Sequence, residues 1–142
     1  MRKTVILLHP RVFKHEYSGI PLGPLMLAAT LYEAGFKPLV IDQATEDNYR
    51  KTISRNLAYT IYVGVSAMTG SQIQFGLEMC EYIRKLSPSI PIVWGGRHAS
   101  ALPIQTLRDN RVDIVAHGEG DFTAVEISST GYTRWFWFLT PP

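Results

Sequence analysis

The chain has 142 residues, the usual length of one domain, and 46% of them are hydrophobic, so it can bury a substantial core. Its formal net charge of +2 includes no basic run, and no apolar run approaches the roughly 20 residues that span a membrane, so we expect neither a nucleic acid nor a membrane as partner. The single cysteine, Cys80, excludes an internal disulfide and a multi-cysteine metal or iron–sulfur site, and with no secretory signal it favours the cytoplasm.

Five short apolar runs alternate with helix-like segments along the chain. The predicted strands cover residues 4–8, 39–41, 62–66, 91–94 and 112–116. The predicted helices cover residues 25–34, 47–57, 71–87 and 121–127, with a short helix or turn at 103–107. Alternating strands and helices predict a parallel sheet with helices on both faces and right-handed crossovers. We therefore expect an α/β, flavodoxin-like (Rossmann-like) three-layer fold with strand order 2-1-3-4-5.

Turn and capping residues mark the ends of these helices. Pro24 lies near the first turn of the first helix, and Gly35 lies at its C-terminal stop. Ser71 is predicted to cap the third helix and Asp121 the last one. The third helix has one apolar face, formed by Ile73, Leu77, Cys80 and Ile83 at helical spacing.

The last fifteen residues depart from the pattern of the domain. We expect the domain to cover residues 1–127 and residues 128–142 to form an irregular tail. The tail contains the aromatic run Trp135-Phe-Trp-Phe138, which a small domain should not leave exposed. It either docks onto the domain, contacts a partner, or reflects a truncation or an artefact.

Two common nucleotide-binding motifs are missing. A dinucleotide site needs Gly-x-Gly-x-x-Gly directly after the first strand, where this chain has His9-Pro-Arg-Val-Phe13. Asp42 ends the second strand, where a ribose-binding acid would lie, but without the glycines we interpret it as a cap or a solvated turn residue. A P-loop is also absent. A phosphoacceptor receiver domain would need acidic residues where His9 and Ser66 end the first and third strands.

Polar side chains of other types lie in the predicted loops. Four histidines could face the same edge of the sheet: His9, His15, His98 and His117. Three carboxylates lie in the same loops: Glu16, Glu119 and Asp121. A transition-metal site or an acid–base pair is conceivable, but no ligand spacing supports either. We favour loop histidines that are hydrogen-bonded to backbone.

Loops of small residues follow three neighbouring strands. Ser66 ends the third strand, Gly95-Gly96 end the fourth, and Gly118-Glu-Gly-Asp121 follow the fifth. Each could be an ordinary turn. Because open α/β sheets bind ligands at the carboxyl ends of their strands, the three loops together predict a cradle for a large cofactor. They offer backbone N–H groups and hydroxyls but no obvious nucleophile.

These motifs resemble the cobalamin-binding domain at the N-terminus of cobalamin-dependent radical S-adenosylmethionine enzymes. The resemblance runs from about residue 3 to residue 127 and includes Pro21-Leu-Gly23, Leu27-Ala-Ala29, Glu33-Ala-Gly35, Val63-Gly-Val-Ser-Ala-Met-Thr-Gly70, Pro91-Ile-Val-Trp-Gly-Gly96, His98-Ala99, Val112-Asp-Ile-Val115 and Gly118-Glu-Gly120. Cobalamin domains generally carry Ser-x-Leu followed at a characteristic distance by Gly-Gly. Here Ser66-Ala-Met68 is followed by 26 residues and then Gly95-Gly96.

The resemblance implies a set of cofactor-binding residues. They are Leu22, Gly23, Ser66, Met68, Thr69, Gly70, Gln72, Gly95, Gly96, His98, Gly118, Glu119 and Gly120. The nucleotide tail of cobalamin would enter between the strand ends, where Gly95 and Gly96 leave no Cβ in its path. The corrin ring would lie across the carboxyl edge, over the first loop. No catalytic residue and no protein metal ligand is expected.

Two departures from related families refine this expectation. Cobalamin domains of the methionine synthase type place Asp-x-His-x-x-Gly in the first loop, and its histidine ligates cobalt. The segment Phe13-Lys-His-Glu-Tyr-Ser18 lacks both the Asp and the Gly, so histidine-off cobalamin is implied, without His15 on the metal. The Cys-x-x-x-Cys-x-x-Cys motif of a radical domain is also absent. This chain alone therefore cannot cleave S-adenosylmethionine, which with the iron–sulfur cluster would belong to a radical domain in cis or in trans.

The resulting hypothesis is a cobalamin-binding module of a radical S-adenosylmethionine enzyme. By resemblance, the whole enzyme would transfer a methyl group or perform related radical chemistry. Two alternatives stay open because a fold does not fix a function. One is a degenerate docking or substrate-recognition domain that binds no corrinoid, and the other is a small flavin- or nucleotide-binding electron-transfer protein.

Overall fold

The computed structural model describes residues 1–13 and 19–130, which form a parallel sheet covered by helices on both faces. The strands are β1 (Thr4–His9), β2 (Lys37–Asp42), β3 (Thr60–Ser66), β4 (Ile92–Gly95) and β5 (Ile114–Val115). Their order is β2-β1-β3-β4-β5, and every neighbouring pair is parallel. The predicted fold class and strand order are confirmed.

Helices connect the strands and follow the last one. They are α1 (Leu22–Glu33), α2 (Tyr49–Asn56), α3 (Ser71–Leu86), α4 (Arg97–Ala101), α5 (Pro103–Leu107) and α6 (Gly120–Thr130), with a 3₁₀ turn at Leu57–Tyr59. The first helix begins at Leu22, three residues before its predicted start at residue 25, so that Pro24 lies within its first turn. The sequence did not predict α4, because a five-residue helix directly after Gly95-Gly96 is too short to show the periodicity of hydrophobic residues that marks a helix. No helix within the described ranges is long and apolar enough to cross a bilayer.

Both predicted helix caps are wrong. Gly70 precedes α3, and Ser71 is its first residue; the Ser71 hydroxyl donates a hydrogen bond to the Val12 carbonyl in the first loop instead. Asp121 likewise does not precede α6, because that helix begins at Gly120 and includes Asp121 in its first turn.

The last helix also extends three residues past its predicted end at residue 127. Ser128, Ser129 and Thr130 do not break it, because each hydroxyl donates to the carbonyl four residues earlier, at 2.7, 2.8 and 2.9 Å. Residues 131–142, which hold the aromatic part of the predicted tail, lie outside the described residues.

The alternation of strand side chains separates two hydrophobic core clusters, one on each face of the sheet. The first packs against α2 and α3 and includes Ile6, Leu8, Val63, Val65, Ile92, Trp94, Ile53, Met79, Cys80 and Ile83. The second packs against α1 and α6 and consists of Val5, Leu7, Leu31, Tyr62, Val93, Ala124 and Ile127. On the predicted apolar face of α3, Cys80 and Ile83 are fully buried, whereas Ile73 and Leu77 pack at its margin. Helices α1 and α6 lie side by side on this second face, where α1 packs against β1 and β2.

Candidate functional site

A cavity of about 180 Å³ lies between the sheet and helices α1 and α6, at the carboxyl edge of the strands. Seven of the predicted cofactor-binding residues line it: Gly23, Ser66, Gly95, Gly96, Gly118, Glu119 and Gly120. The inner wall is apolar and consists of residues from the strands and α6: Leu7, Tyr62, Gly64, Val93, Ala124 and Ile127. The loops that the sequence places at one edge thus converge on a single space.

The cavity exists because small residues occupy neighbouring positions on one face of the sheet. Gly64, Ser66 and Gly95 all line it, and none has a side chain larger than a hydroxymethyl group. A Cβ atom on Gly64 would lie 3.0 Å from Cδ2 of Leu7, and a Cβ atom on Gly95 would lie 3.7 Å from Cβ of Ala116. Gly64 was not among the predicted site residues. The sequence feature that could have identified it is a glycine within a strand of β-branched residues, which often marks a place where a ligand approaches the backbone closely.

Gly96 has a different role from Gly95. Its φ angle is +94°, and a Cβ atom there would lie 3.0 Å from the carbonyl oxygen of Ala67 and 3.2 Å from its amide nitrogen. The same carbonyl accepts a hydrogen bond from the His98 N–H at 3.2 Å. Gly96 is therefore required by the protein's own backbone, because the loops after β3 and β4 touch there.

The other six predicted residues do not line the cavity. Leu22, Met68, Thr69 and Gly70 are exposed at the carboxyl edge, whereas Gln72 and His98 are 3% and 7% exposed. The hydroxyl of Thr69 and Nδ1 of His98 are 3.2 Å apart, which connects the loop after β3 to α4. On the next loop, the N–H of Gly118 donates to Oγ of Ser100 at 3.0 Å.

Gln72 connects the loop after β3 to the loop after β1. Its Oε1 accepts a hydrogen bond from the Met68 N–H at 2.8 Å, and its Nε2 donates to the Pro10 carbonyl at 2.6 Å. Nε2 of His9 lies 3.4 Å from the same Gln72 nitrogen. Since the side chain is buried and both ends of its amide contact protein, any effect of Gln72 on a ligand would act through the position of Met68.

Asp42 is buried, at 9% exposure, and so is not the solvated residue that the sequence suggested. Its carboxylate lies 3.3 Å from Nδ1 of His9 and accepts hydrogen bonds from the Ala44 N–H at 3.1 Å and the Thr45 hydroxyl at 3.3 Å. Asp42 therefore shapes the turn after β2. The interaction also shows that His9 contacts side chains, where we had expected backbone partners.

A metal site built from the loop histidines finds no support. Within residues 1–13 and 19–130, no three His, Cys, Asp or Glu side chains are grouped so that they could hold a metal ion. His15 and Glu16 lie outside the described residues. Nδ1 of His117 is buried and has no hydrogen-bond partner among the described residues. Cys80 packs in the core cluster on the opposite face of the sheet from the cavity. Burial also raises the pKa of its thiol to about 11, so Cys80 offers no thiolate to the cavity.

A family model described as the B12 binding domain matches residues 8–128. The chain belongs to the B12-binding domain family. The matched region contains every cavity-lining residue of this B12-binding domain except Leu7. No curated protein sequence matches the chain significantly.

Two solved structures with a similar backbone are of TsrM, a radical S-adenosylmethionine methyltransferase from Kitasatospora setae. One has cobalamin and a [4Fe-4S] cluster bound, and the other has tryptophan substrate and the SAM analogue aza-SAM bound. Each comparison gives a TM-score of 0.75 and 20% identity, and covers 91% of this B12-binding domain and 26% of the TsrM chain. The domain therefore spans about a quarter of the length of TsrM.

A response regulator receiver domain from Clostridium thermocellum has the same type of fold. Its TM-score is 0.59 at 11% identity, over 87% of this chain and 91% of that one. At such identities the structural likenesses establish the shared fold alone. The distinction between a B12-binding domain and a receiver therefore depends on the family match and on the residues at the strand ends.

Proposed function

We propose that this B12-binding domain holds cobalamin with the nucleotide tail in the cavity and the corrin ring over the carboxyl edge. The family match supports the cofactor, and the cavity supports the position of the tail. The observation that carries the proposal is the run of small residues on one sheet face, Gly64, Ser66 and Gly95, which keeps a narrow space open between the sheet and two helices. Most pockets for organic cofactors have such apolar walls with a few polar groups at defined places.

Ser66 at the mouth of the cavity and the loop that follows it have the chemistry to hold the polar part of the tail. The Ser66 hydroxyl lines the mouth and can both donate and accept a hydrogen bond. Thr69 and Gly70 lie exposed just before α3, where backbone N–H groups at the start of a sixteen-residue helix favour an anionic group such as a phosphodiester. These residues would orient the tail relative to the edge of the sheet.

Exposed apolar side chains border the same edge and support the proposed place of the corrin ring. Phe13, Ile20, Leu22 and Met68 are 55%, 71%, 64% and 50% exposed. Large apolar side chains grouped around a functional cleft often contact a ligand or partner. Burial of part of this surface beneath a flat macrocycle would stabilise the complex by about 25 cal/mol for each Å² removed from water.

We further propose that no histidine of this chain ligates cobalt. His9 and His98 already contact Asp42, Gln72 and Thr69 through their rings. The segment around His15 lacks the residues that would orient a ligating imidazole. Bound cobalamin would supply a cobalt centre that carries a methyl group, whereas the chain's own residues bind the cofactor and exclude water from its tail.

The larger function we propose is that of the cobalamin-carrying module of a cytoplasmic radical S-adenosylmethionine enzyme, with the radical domain in cis or in trans. The similarity to TsrM, of which the domain covers 26%, supports this assignment. S-adenosylmethionine and the iron–sulfur cluster would be bound by that radical domain, since Cys80 is the single cysteine here. The proposed reaction is methyl transfer or related radical chemistry.

Retention of a corrinoid after desalting tests the binding proposal. The 142-residue chain is incubated with hydroxocobalamin, and in parallel with flavin mononucleotide and ATP, and then passed over a desalting column. We expect the corrin absorption bands to co-elute with the protein at near one equivalent, and neither of the other ligands to do so. Co-elution of flavin or nucleotide instead, or of none of the three with a folded protein, would contradict the proposal and favour the electron-transfer or docking alternative.

A further inference from the structure

The inner part of the cavity differs in chemistry from its mouth. Ser66, Gly64 and Tyr62 alternate along β3 and all line the cavity. Since a strand rises about 3.3 Å per residue, Tyr62 lies roughly 13 Å inside the edge marked by Ser66. On the opposite wall, α6 runs inward from Gly120, so Ala124 and Ile127 lie about one and two helical turns from the mouth.

Apart from Tyr62, the polar side chains that line the cavity are grouped at its mouth. Ser66, Glu119 and Asp121 lie at the strand end or at the beginning of α6. At the inner level, the Tyr62 hydroxyl donates to the Ala124 carbonyl at 3.2 Å and also bonds with Ser128. Burial raises the pKa of this hydroxyl to about 12, so it stays neutral at physiological pH. The remaining inner side chains are hydrocarbon: Leu7, Val93, Ala124 and Ile127.

We propose that this inner wall selects the base at the end of the cofactor's nucleotide tail. It accepts a benzimidazole, whose outer edge carries only C–H and methyl groups, and it discriminates against an adenine, whose edge carries an amine and ring nitrogens. The inference rests on the proposed function, because it concerns the same cavity. Its physical basis is that a donor or acceptor buried without a partner loses its hydrogen bonds to water, whereas methyl groups gain from the same burial.

Val93 is a suitable position at which to test this selectivity, because it belongs to the inner wall and a control position is available. It lines the cavity from β4 and belongs to the same core cluster as Val5, which is also buried on the same sheet face but does not line the cavity. Valine and threonine are both β-branched, so Val93→Thr replaces a methyl group with a hydroxyl beside the base, and Val5→Thr makes the same replacement elsewhere in the cluster. The second variant controls for any general loss of stability.

Direct titration of three corrinoids tests the inference on the 142-residue chain. The ligands are cobalamin, the cobamide with adenine as its base, and cobinamide, which lacks the nucleotide. We expect the adenine cobamide to bind at least tenfold more weakly than cobalamin, and cobinamide to bind more weakly than cobalamin as well. Val93→Thr should reduce the ratio between the two cobamides at least threefold, whereas Val5→Thr should leave it unchanged.

The outcomes separate the inference from the proposed function. Equal affinity for the two cobamides overturns base selection while cobalamin binding stands. Cobinamide binding as tight as that of cobalamin overturns the position of the tail and therefore the inference. An unchanged ratio in Val93→Thr, or an equal change in Val5→Thr, overturns the assignment to this wall. If no corrinoid binds, the proposed function itself fails.

Discussion

Substitutions of increasing size at Gly95 test whether the tail of the cofactor enters where we propose. Gly95 lies at the end of β4, lines the cavity and does not have a positive φ angle. A Cβ atom at this position would lie 3.7 Å from Cβ of Ala116, which is ordinary van der Waals contact. Gly95→Ala should therefore fold normally and keep most of its affinity for cobalamin, whereas the larger side chain of Gly95→Leu would extend into the mouth.

The size of the effect follows from the apolar surface that the base would no longer bury. A large aromatic ring system buries about 150–250 Å². At about 25 cal/mol per Å², complete exclusion would cost up to about 4–6 kcal/mol. Partial accommodation would reduce this loss, so we expect Gly95→Leu to weaken cobalamin binding by well over tenfold, which corresponds to about 1.4 kcal/mol. Spectrophotometric titration at fixed protein concentration measures the change.

Gly96→Leu does not provide the same test, although the two glycines are adjacent in the sequence. A Cβ atom on Gly96 would lie 3.0 Å from the Ala67 carbonyl, so a substitution there would disturb the protein before any ligand is present. The Gly95 variants should instead show thermal unfolding and far-ultraviolet circular dichroism close to those of the wild type. If folded Gly95→Leu binds cobalamin with unchanged affinity, the tail does not pass this residue and the proposed placement is refuted.

Three further predictions concern the metal, the loops and stability. The Co(II) form of the bound cofactor should show no nitrogen superhyperfine splitting from a histidine in its paramagnetic resonance spectrum; a pattern that is present in the wild type and lost in His15→Ala would show the opposite. Gln72→Met should lower the free energy of unfolding, measured by urea titration, by about 1–3 kcal/mol, because it leaves the Met68 N–H unpaired. The same substitution at exposed Gln74 should change the free energy of unfolding by less than about 0.5 kcal/mol, and equal effects of the two variants would contradict the role of Gln72. The hydrogen bond from Arg111 holds the pKa of Asp109 below the usual range of a carboxyl group. The ionised carboxylate therefore stabilises the fold above its unfolded-state pKa, and this contribution is lost as pH falls through the lower folded-state pKa. The destabilisation caused by Asp109→Asn should accordingly vanish in acid, and a constant difference across the pH range would refute the linkage.

The sequence predicted the sheet well because its strands are buried on both faces and appear as continuous apolar runs. The main error in the strands is at β5, where residues 112–116 were predicted and only Ile114–Val115 pair with β4. Val112 is buried, but it packs without pairing, and hydrophobicity alone cannot distinguish these cases. The predicted end of the last helix at residue 127 is too early, because the bonds of Ser128 and Ser129 to the preceding turn leave no trace in a hydrophobic pattern.

The site was predictable where a residue type is unusual for its position. Ser66 and Gly95 are small residues at strand ends, and both line the cavity. The inner wall was not predictable, because Leu7 and Val93 look like any other core residues until the space beside them is known. Gln72 was selected by resemblance as a cofactor residue, but its contacts with Pro10 and Met68 depend on a distant loop that no local pattern reveals.

The cavity wall has a consequence for how the domain would load and release a ligand. Five of the seven buried residues in the cluster that holds α1 and α6 on the sheet also line the cavity: Leu7, Tyr62, Val93, Ala124 and Ile127. A tail inserted there would become part of the hydrophobic packing between layers. Saturation at a hundred times Kd would then add about 2.7 kcal/mol to the stability of the fold. Because the departing tail would leave the apolar faces of helix and sheet without a packing partner, its residence time would depend on the local stability of that layer as well as on contacts at the mouth.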